Sequence, residues 1–355
     1  MSKFFSDKYK RLVPYVPGER PRSEKYIKLN TNENPYPPSP LAQRLAREAA
    51  GDLNLYSDPA CQSLIDMATE KLGVKPEEII FTNSSDEILN FAFMAFCDKN
   101  TPACFADVTY GFYPVFANLN GVPYREIPLK EDFTISPEDY FNAGGTVFIV
   151  NPNANTGYCL SLSDIENIIR HNSDNIVVID EAYVDFGGTS ALPLIRKYNN
   201  LLVTRTFSKS RSMAGARLGF GLACPELIQD LNTIRFSTNP YNVNSMSMAA
   251  GIGALADEDY FRRCCDKIKA SRNYTAKELQ KLGYTVLDGS QGNFLLIGSP
   301  KMDGRTLNAK LKANGILGRF LDTPRLQPYL RLSIGTQEDM DACIKVFAQI
   351  WEEQQ

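Results

Sequence analysis

The sequence predicts an α/β protein: a large domain whose mostly parallel sheet is sandwiched by helices, followed by a smaller α+β domain. Apolar, β-branched runs alternate with helical segments between residues 78 and 223, the pattern of crossover units in a parallel sheet. From residue 244 onward, long helical stretches are followed by short, separated strands. The 355 residues are enough for a large domain with a sizeable core and a smaller one.

The N-terminal 40 residues are predicted to form an extended arm, because seven prolines forbid a continuous helix and apolar residues such as Tyr15 can anchor it to another surface. The alternative is a disordered tail. We expect an arm over 1–40, a large domain over 41–243, and a small C-terminal domain over 244–355 that part of the N-terminal segment completes. The prolines are Pro14, Pro17, Pro21, Pro35, Pro37, Pro38 and Pro40.

The elements follow in order along the chain. Ser84-Ser85-Asp86-Glu87 has capping-box spacing at the start of a helix, and Gly73 is a C-terminal cap. Predicted helices cover 41–50, 61–72, 88–97, 244–256, 257–282, 304–314 and 337–352. Predicted strands cover 78–81, 103–107, 123–128, 146–150, 176–180, 201–207, 219–223, 285–287, 293–297, 316–320 and 329–334.

Composition excludes several classes of function. The net charge of -3 gives no basic footprint for nucleic acid or an anionic membrane, and no apolar run approaches the roughly 20 residues of a membrane span. The first eight residues lack the apolar core of a signal peptide, so we expect a cytoplasmic protein. Eight cysteines without a C-x-x-C pair indicate free thiols. His171 is the only histidine, which excludes multi-histidine metal sites, and no metal is predicted.

Three central strands each end at polar groups. Residues 146–150 lead into an amide-rich segment with Asn153 and Asn155, residues 176–179 end at Asp180 and Tyr183, and residues 201–207 end at Ser208 and Lys209. Ligands of open α/β sheets bind beyond the carboxyl ends of the strands, so these groups should line one crevice. Together they suit a phosphorylated pyridine aldehyde.

Lys209 supplies an amine that can form a Schiff base with such an aldehyde, although most lysines are solvated surface charges. Asp180 would keep the pyridine nitrogen protonated, with a helix cap as the alternative. Tyr183 could donate to the ring oxygen or simply pack in the core. For the phosphate, Ser84, Ser85 and Asp86 open a helix, and two further donors follow the lysine strand. These donors are Ser208 and Arg217.

Two further residues lie in suggestive positions. Tyr110 follows a strand and could stack on the cofactor ring. Arg331 lies inside an apolar strand and should pair with an anion, either a substrate carboxylate or an internal acid. Residues 251–256 match the dinucleotide pattern G-x-G-x-x-G/A, but a helical segment precedes them, so close helix packing is the better interpretation.

As an ordered set, these motifs resemble the fold-type I pyridoxal-phosphate enzymes of the aspartate aminotransferase superfamily, and are most similar to the histidinol-phosphate aminotransferases. The resemblance covers nearly the whole chain. The motifs that carry it are Leu29-Asn30-Thr31-Asn32-Glu33-Asn34-Pro35-Tyr36, Asp180-Glu181-Ala182-Tyr183, Thr206-Phe207-Ser208-Lys209 and Leu330-Arg331-Leu332.

The resemblance implies a homodimeric transaminase that holds pyridoxal 5′-phosphate and acts on a small amino donor and a 2-oxo acid acceptor. Its closest part implies that these are histidinol phosphate and 2-oxoglutarate. Lys209 would be the Schiff-base lysine and proton shuttle. Ser85, Asp86, Ser208 and Arg217 would hold the phosphate region. Tyr56 would reach the neighbouring subunit's phosphate. Substrate contacts are implied for Tyr15, Asn34, Arg319 and Arg331.

The chain departs from the family pattern at Ala154, where family members carry an asparagine that bonds the ring oxygen. Asn153 or Asn155 would then supply the amide, with Asn153 preferred, or Tyr183 acts alone. A threonine-phosphate decarboxylase or an aromatic aminotransferase would share every cofactor residue. Two other classes remain as alternatives, a nicotinamide dehydrogenase resting on residues 251–256 and a non-catalytic cofactor-binding domain.

Overall fold

The computed structural model describes residues 2–10, 12–20 and 26–353, so the predicted arm proline Pro21 lies outside the described residues. In the described part, the helices are α1 (Pro40–Ala49), α2 (Gln62–Leu72), α3 (Ser85–Phe96), α4 (Tyr113–Asn120), α5 (Leu162–Arg170), α6 (Pro225–Thr238), α7 (Ser245–Ala256), α8 (Glu258–Lys281), α9 (Gly304–Ala313) and α10 (Gln337–Glu352). The strands are β1 (Ile27–Lys28), β2 (Ile79–Thr82), β3 (Ala103–Ala106), β4 (Tyr124–Ile127), β5 (Thr146–Val150), β6 (Val177–Asp180), β7 (Leu201–Thr206), β8 (Gly219–Leu222), β9 (Thr285–Val286), β10 (Phe294–Gly298), β11 (Ile316–Leu317), β12 (Arg319–Phe320) and β13 (Tyr329–Ser333).

The large sheet has seven strands in the order β2-β8-β7-β6-β5-β3-β4. Strand β8 runs antiparallel to both of its neighbours, and the other pairs are parallel. The predicted α/β class with a mostly parallel sheet is therefore confirmed. Because β5, β6 and β7 are parallel neighbours, their carboxyl ends lie side by side at one edge of the sheet.

Helices cover both faces of this sheet, as the continuous apolar strands require. In β5, Phe148 and Val150 belong to one hydrophobic core, while Val147 and Ile149 belong to the core on the opposite face. All four side chains are almost fully buried. The alternation follows from the period of two in a strand, so each strand contributes to both cores.

The smaller sheet is antiparallel in the order β12-β13-β10-β9. One predicted strand over 316–320 is wrong: the chain forms β11 and β12 there, in different sheets. The change occurs at Gly318, where a Cβ atom would lie 2.9 Å from Leu330 Cδ1. Strand β11 pairs with β1 of the N-terminal segment, which therefore joins the C-terminal part of the chain. The exact boundary at residue 244 stays a prediction.

The G-x-G-x-x-A segment lies inside α7, without a strand before it, which confirms its interpretation as helix packing. A Cβ atom at Gly253 would lie 2.6 Å from the backbone of Ala42 in α1, and one at Gly251 would lie 2.5 Å from Leu218 Cδ2. Both glycines therefore allow close approach of neighbouring elements. No helix in the described part of the chain has the length and apolar character needed to cross a bilayer.

Candidate active site

A cavity of about 680 Å³ opens at the carboxyl ends of β6 and β7, beside the N-terminus of α3. Gly18, Arg20, Lys28 and Thr31 from the N-terminal segment also line it. The cavity brings together most of the predicted cofactor residues: Ser84, Ser85, Asp86, Tyr110, Asp180, Tyr183, Ser208, Lys209 and Arg217. The sheet edge that the sequence predicted is therefore a concave site.

Lys209 follows β7 after a short turn, in which the Ser208 N–H donates to Thr206 Oγ1 at 3.1 Å. Its Nζ donates a hydrogen bond to the Thr31 carbonyl at 3.0 Å and lies 5.9 Å from the centre of the Tyr183 ring. The amine therefore points into the cavity between the lysine strand and the N-terminal segment. This is a suitable position for reaction with an aldehyde.

Asp180 ends β6 and is only 3% exposed. Its carboxylate accepts hydrogen bonds from the Ala182 N–H at 3.2 Å, the Thr204 hydroxyl at 3.3 Å and the Tyr113 hydroxyl at 3.5 Å. No cationic side chain in the described residues forms an ion pair with it. Burial raises the pKa of Asp180 to about 7. A protonated ring nitrogen in the cavity would compensate this buried charge.

Ser84, Ser85 and Arg217 form a cup for an anion at the start of α3. Ser84 is the N-cap, and the Arg217 Nη2 donates to its hydroxyl at 2.8 Å. Gly219 on β8 allows that strand to lie close to the start of α3, since a Cβ at Gly219 would lie 2.3 Å from the Ser85 nitrogen. Backbone N–H groups, hydroxyls and a guanidinium together are the donor set that binds phosphate.

The capping box predicted at Ser84 and Glu87 forms differently. Ser84 Oγ accepts a long hydrogen bond from the Asp86 N–H at 3.3 Å. Glu87 accepts instead from the N–H of Asn83, one residue earlier, at 2.7 Å. Ser84 has φ of 72°, so its own N–H points away from the first turn and donates to the Thr82 carbonyl. The start of α3 therefore still has one hydrogen bond from a backbone N–H to Ser84 and one to Glu87.

Tyr110 forms a wall of the cavity and donates from its hydroxyl to Asp86 Oδ1 at 2.6 Å. Asp86 also forms an ion pair with Arg217 at 2.6 Å. Burial and the neighbouring Asp86 raise the pKa of Tyr110 well above its usual value. Tyr110 is therefore a neutral phenol whose ring faces the cavity, as stacking on an aromatic ligand requires.

Neither predicted substitute for the missing asparagine lines the cavity, and Ala154 lies there instead. Asn153 donates to the Val108 carbonyl at 2.8 Å, and its Oδ1 accepts from the N–H groups of Asn155 and Thr156. The Asn155 amide donates to the Thr109 carbonyl at 2.6 Å. Both side chains hold their own loop against the segment after β3.

Arg331 lies on β13 with its guanidinium directed at the same loop. Its Nη1 donates to the Ala154 carbonyl at 2.9 Å and to Asn155 Oδ1 at 3.3 Å. Its Nε is buried without a hydrogen-bond partner among the described residues. Burial lowers the pKa of this guanidinium. A half-buried guanidinium with no ion-pair partner among the described residues and a free donor at its buried Nε fits an anionic ligand group.

Arg319 and Tyr15 each contribute to where the N-terminal arm lies, through different contacts. The Arg319 Nη2 donates to the Val16 carbonyl at 2.9 Å. The ring of Tyr15 lies 4.6 Å from the ring of Phe112. Neither side chain lines the cavity itself, whereas Gly18 and Arg20 of the same arm do. The arm therefore forms part of the cavity wall.

Asn34 and Tyr56 lie outside the cavity. The Asn34 amide donates to the Lys209 carbonyl at 3.0 Å and to the Ser210 carbonyl at 3.2 Å, so in this structure it holds the lysine turn. Tyr56 is 83% exposed, and its ring stacks on Tyr241 at 4.5 Å. An exposed aromatic pair beside the exposed Leu55 is available for another chain.

Sequence reasoning assigned no role to several residues of the site. Asn32 donates to the Tyr183 hydroxyl at 3.1 Å, and the Thr31 carbonyl accepts from Lys209. Tyr113 and Thr204 donate to Asp180. Asn32 lies in the segment 29–36 that carries the family resemblance, so a signal existed for it. Tyr113 lies on a helix and Thr204 lies in a strand. Nothing in the local sequence around either residue indicates a function.

The residues present fit pyridoxal 5′-phosphate group by group: an amine for the aldehyde, a buried carboxylate for the ring nitrogen, and a cup for the phosphate. A phenol, Tyr183, also lines the cavity, with its ring centre 5.9 Å from Lys209 Nζ. No cluster of three His, Cys, Asp or Glu side chains that could hold a metal occurs among the described residues. The hydroxyls, backbone N–H groups and guanidinium of the donor set suit an organic phosphate.

Comparison with known proteins gives a consistent result. The family "Aminotransferase class I and II" matches residues 24–347. A histidinol-phosphate aminotransferase of Clostridium acetobutylicum is 44% identical over 96% of this chain and 97% of its own length. That of Brachyspira hyodysenteriae is 45% identical over 97% and 98%. The crystal structure of a histidinol-phosphate aminotransferase from Sinorhizobium meliloti, in complex with pyridoxal-5′-phosphate, has a TM-score of 0.90 at 23% identity, covering 99% of both chains.

Proposed function

Because this chain belongs to the aminotransferase class I and II family, we propose that it transfers the amino group of L-histidinol phosphate to 2-oxoglutarate, with pyridoxal 5′-phosphate as its cofactor. The products are imidazole-acetol phosphate and glutamate. Relatives named for this activity are 44% and 45% identical over nearly the full length of both chains. The reaction belongs to histidine biosynthesis.

One structural observation carries the proposal: the Lys209 amine and the uncompensated Asp180 carboxylate line one cavity that ends in an anion cup. Each feature alone has an ordinary structural explanation. Their combination matches the three polar groups of a phosphorylated pyridine aldehyde. A dehydrogenase is disfavoured, because its supposed dinucleotide motif is packed inside α7.

When bound, pyridoxal phosphate supplies an electron-withdrawing ring that stabilises the negative charge left by removal of the α-proton. Lys209 would remove that proton and return one to the cofactor side, since its amine lies in the cavity. Asp180 would hold the ring nitrogen in its protonated form. Tyr183 would donate from its hydroxyl to the ring oxygen, and Ser84, Ser85, Ser208 and Arg217 would bind the phosphate.

Substrate recognition would depend on anions, because histidinol phosphate carries a phosphate and glutamate carries carboxylates. Arg331 would bind the anionic group nearest the amine, since its buried Nε has a free proton. Arg319 and Tyr15 would act at the arm, with the substrate phosphate drawing Arg319 away from the Val16 carbonyl. Asn34 would act through the lysine turn that it binds.

A substrate panel tests the proposal. The purified enzyme with added cofactor would be incubated with 2-oxoglutarate and one of three donors: L-histidinol phosphate, L-threonine phosphate or L-phenylalanine. We expect stoichiometric glutamate and imidazole-acetol phosphate with the first donor, at the highest kcat/KM. Release of CO2 from threonine phosphate, or a higher kcat/KM with phenylalanine, would instead identify one of the rival reactions.

A homodimer is part of the proposal. Tyr56 would reach the partner's phosphate cup, which its 83% exposure and its stacking on Tyr241 support. Exposed Leu53 and Leu55 extend the apolar surface around it. A reducing compartment such as the cytoplasm is also proposed, since all eight cysteines are described and none forms a disulfide.

A further inference from the structure

We propose that Asn32 is a positioning residue that directs the proton of the Tyr183 hydroxyl toward the cofactor ring oxygen. The inference rests on the proposed function and adds to it a residue with no assigned role. Asn32 lies in the segment between β1 and α1 and is 1% exposed. Its side-chain amide donates to the Tyr183 hydroxyl at 3.1 Å. Tyr183 lines the cavity, whereas Asn32 acts from behind it.

The orientation of the Asn32 amide follows from Ser333 on β13. The Asn32 backbone N–H donates to Ser333 Oγ at 2.8 Å, and the Ser333 hydroxyl donates to Asn32 Oδ1 at 2.9 Å. If the amide were turned by 180°, Ser333 Oγ would face two N–H donors and its own proton would lose this acceptor. The amide therefore presents its NH2 group to Tyr183.

This orientation determines what the phenol can do. A tyrosine hydroxyl has one proton and two lone pairs. Because Asn32 donates to one lone pair of the Tyr183 oxygen, the Tyr183 proton cannot point at Asn32. It is free to point into the cavity, where a bound cofactor would present an acceptor. A ring oxygen with negative charge is such an acceptor. The hydrogen bond from Asn32 also polarises the O–H group, which strengthens its donation.

The loop at 153–155, where the family carries its asparagine, offers no such donor in the described structure. Ala154, which lines the cavity, has only a methyl group. The Asn153 and Asn155 amides donate to the carbonyls of Val108 and Thr109 in their own loop. Among these described residues, Tyr183 is thus the donor available to the ring oxygen, and its orientation depends on Asn32.

The backbone of Asn32 is held firmly enough for a positioning role. Its φ of 54° lies in the left-handed region, which asparagine tolerates better than most residues. The Asn293 amide, fully buried before β10, donates to the Asn32 carbonyl at 3.0 Å. The preceding carbonyl, of Thr31, accepts from Lys209 Nζ. One short segment therefore links the small sheet to both the amine and the phenol.

The test measures the pH midpoint of the absorbance change of the bound cofactor, which a purely structural residue would not move. Donation from Tyr183 stabilises the negative ring oxygen and so keeps this midpoint low. Asn32→Gly removes the amide and suits the positive φ. We expect it to raise the midpoint by roughly half to one pH unit, the size of one neutral hydrogen bond. Asn32→Asp replaces the donor with an acceptor, which would draw the Tyr183 proton away from the ring oxygen. This variant should raise the pH midpoint at least as far as Tyr183→Phe does.

A double variant and a control make the test specific. In the Tyr183→Phe background, Asn32→Gly should add no further shift, because Asn32 acts through the hydroxyl that is already gone. The control is Asn172→Ala, which removes an equally buried amide that binds the Tyr140 and Ile168 carbonyls. It should lower the melting temperature and leave the midpoint unchanged.

An unchanged midpoint in Asn32→Gly overturns the inference, as does a shift of equal size in the Tyr183→Phe background. Either result leaves the proposed function intact if the wild-type protein binds the cofactor and turns over substrate. Failure of the wild-type protein to bind pyridoxal phosphate overturns the proposed function itself. The two failures are therefore separable in one set of measurements.

Discussion

The Lys209 amine donates a hydrogen bond to the backbone carbonyl of Thr31, 3.0 Å away. Lys209 follows β7 of the large sheet. Thr31 follows β1, which pairs with β11 of the C-terminal part of the chain. The candidate catalytic amine is thus hydrogen-bonded to the N-terminal segment just after the β1–β11 pair. Asn34 reinforces this junction by donating to the Lys209 carbonyl at 3.0 Å.

Replacement of Lys209 by alanine should lower kcat by roughly 10³-fold or more, as expected for loss of a general acid–base group. Steady-state assays with histidinol phosphate would measure it. The control is Lys281→Ala, which removes an exposed lysine paired with Glu278. We expect the control to keep full activity. Full activity in the Lys209 variant would show that the amine has no catalytic role.

Asp180 makes the stability of the cofactor-free protein depend on pH in a defined direction. Burial raises its pKa to about 7, above the value of about 3.9 in an unfolded chain. The folded form therefore binds a proton that the unfolded chain has released, so the stability from this group is present at low pH and is lost as pH rises to about 7. Urea unfolding should show that wild type loses stability relative to Asp180→Asn between about pH 4 and pH 7. A difference that is constant over this range would contradict the assignment.

Arg331→Ala should raise the KM for both glutamate and histidinol phosphate by about 10- to 100-fold, the loss expected for a charged hydrogen bond to an anion. The change in kcat should be smaller than the change in KM. Arg325→Ala is the control, since Arg325 binds Asp107 and the Leu129 carbonyl and does not line the cavity. Equal KM effects in both variants would assign Arg331 to structure alone.

An ion network behind the lysine turn should stabilise the fold. Arg205 pairs with Asp185 at 2.6 Å, and the Ser210 hydroxyl donates to the same carboxylate at 2.5 Å. Asp185→Asn should lower the free energy of unfolding by about 2–3 kcal/mol, because among the described residues Arg205 then keeps only the more distant Glu181 as an ion-pair partner. Urea denaturation would measure it. Glu278→Gln, at an exposed pair, should be indistinguishable from wild type.

Hybrid dimers test the role of Tyr56. If Tyr56 completes the partner's site, mixing inactive Lys209→Ala with inactive Tyr56→Ala subunits creates one intact site per hybrid. Random reassociation should restore about a quarter of wild-type activity, because half of the dimers are hybrids with one working site of two. No recovery, with dimers present by analytical ultracentrifugation, would exclude a shared site.

The central strands and their polar ends were predictable from sequence, because a strand buried on both faces is a continuous apolar run and its last residue stands out. Strands β5, β6 and β7 match the prediction to within one residue at each end. Nine of the twenty residues that line the cavity had been predicted as cofactor residues from these strand ends and from the resemblance of the motifs. The residues within and directly after these strands were sufficient to predict this part of the site.

Long-range contacts were not predictable in the same way. The split at Gly318 depends on which strand lies beside each half, and the hydrogen bond from Asn32 to Tyr183 joins residues 151 positions apart. The choice of Asn153 as ring partner rested on alignment, whereas the loop uses that amide to bind the Val108 carbonyl. Such pairings are decided by the packing of distant segments, which no local pattern reports.

The most direct measurement is a single turnover without 2-oxoglutarate. The holoenzyme would be mixed with one equivalent of L-histidinol phosphate, and the cofactor absorbance and the keto product would be followed together. The proposed function predicts a rapid absorbance change and one equivalent of imidazole-acetol phosphate per subunit. Binding of the substrate with no keto product released would contradict it, and would direct attention to threonine phosphate and aromatic amino acids.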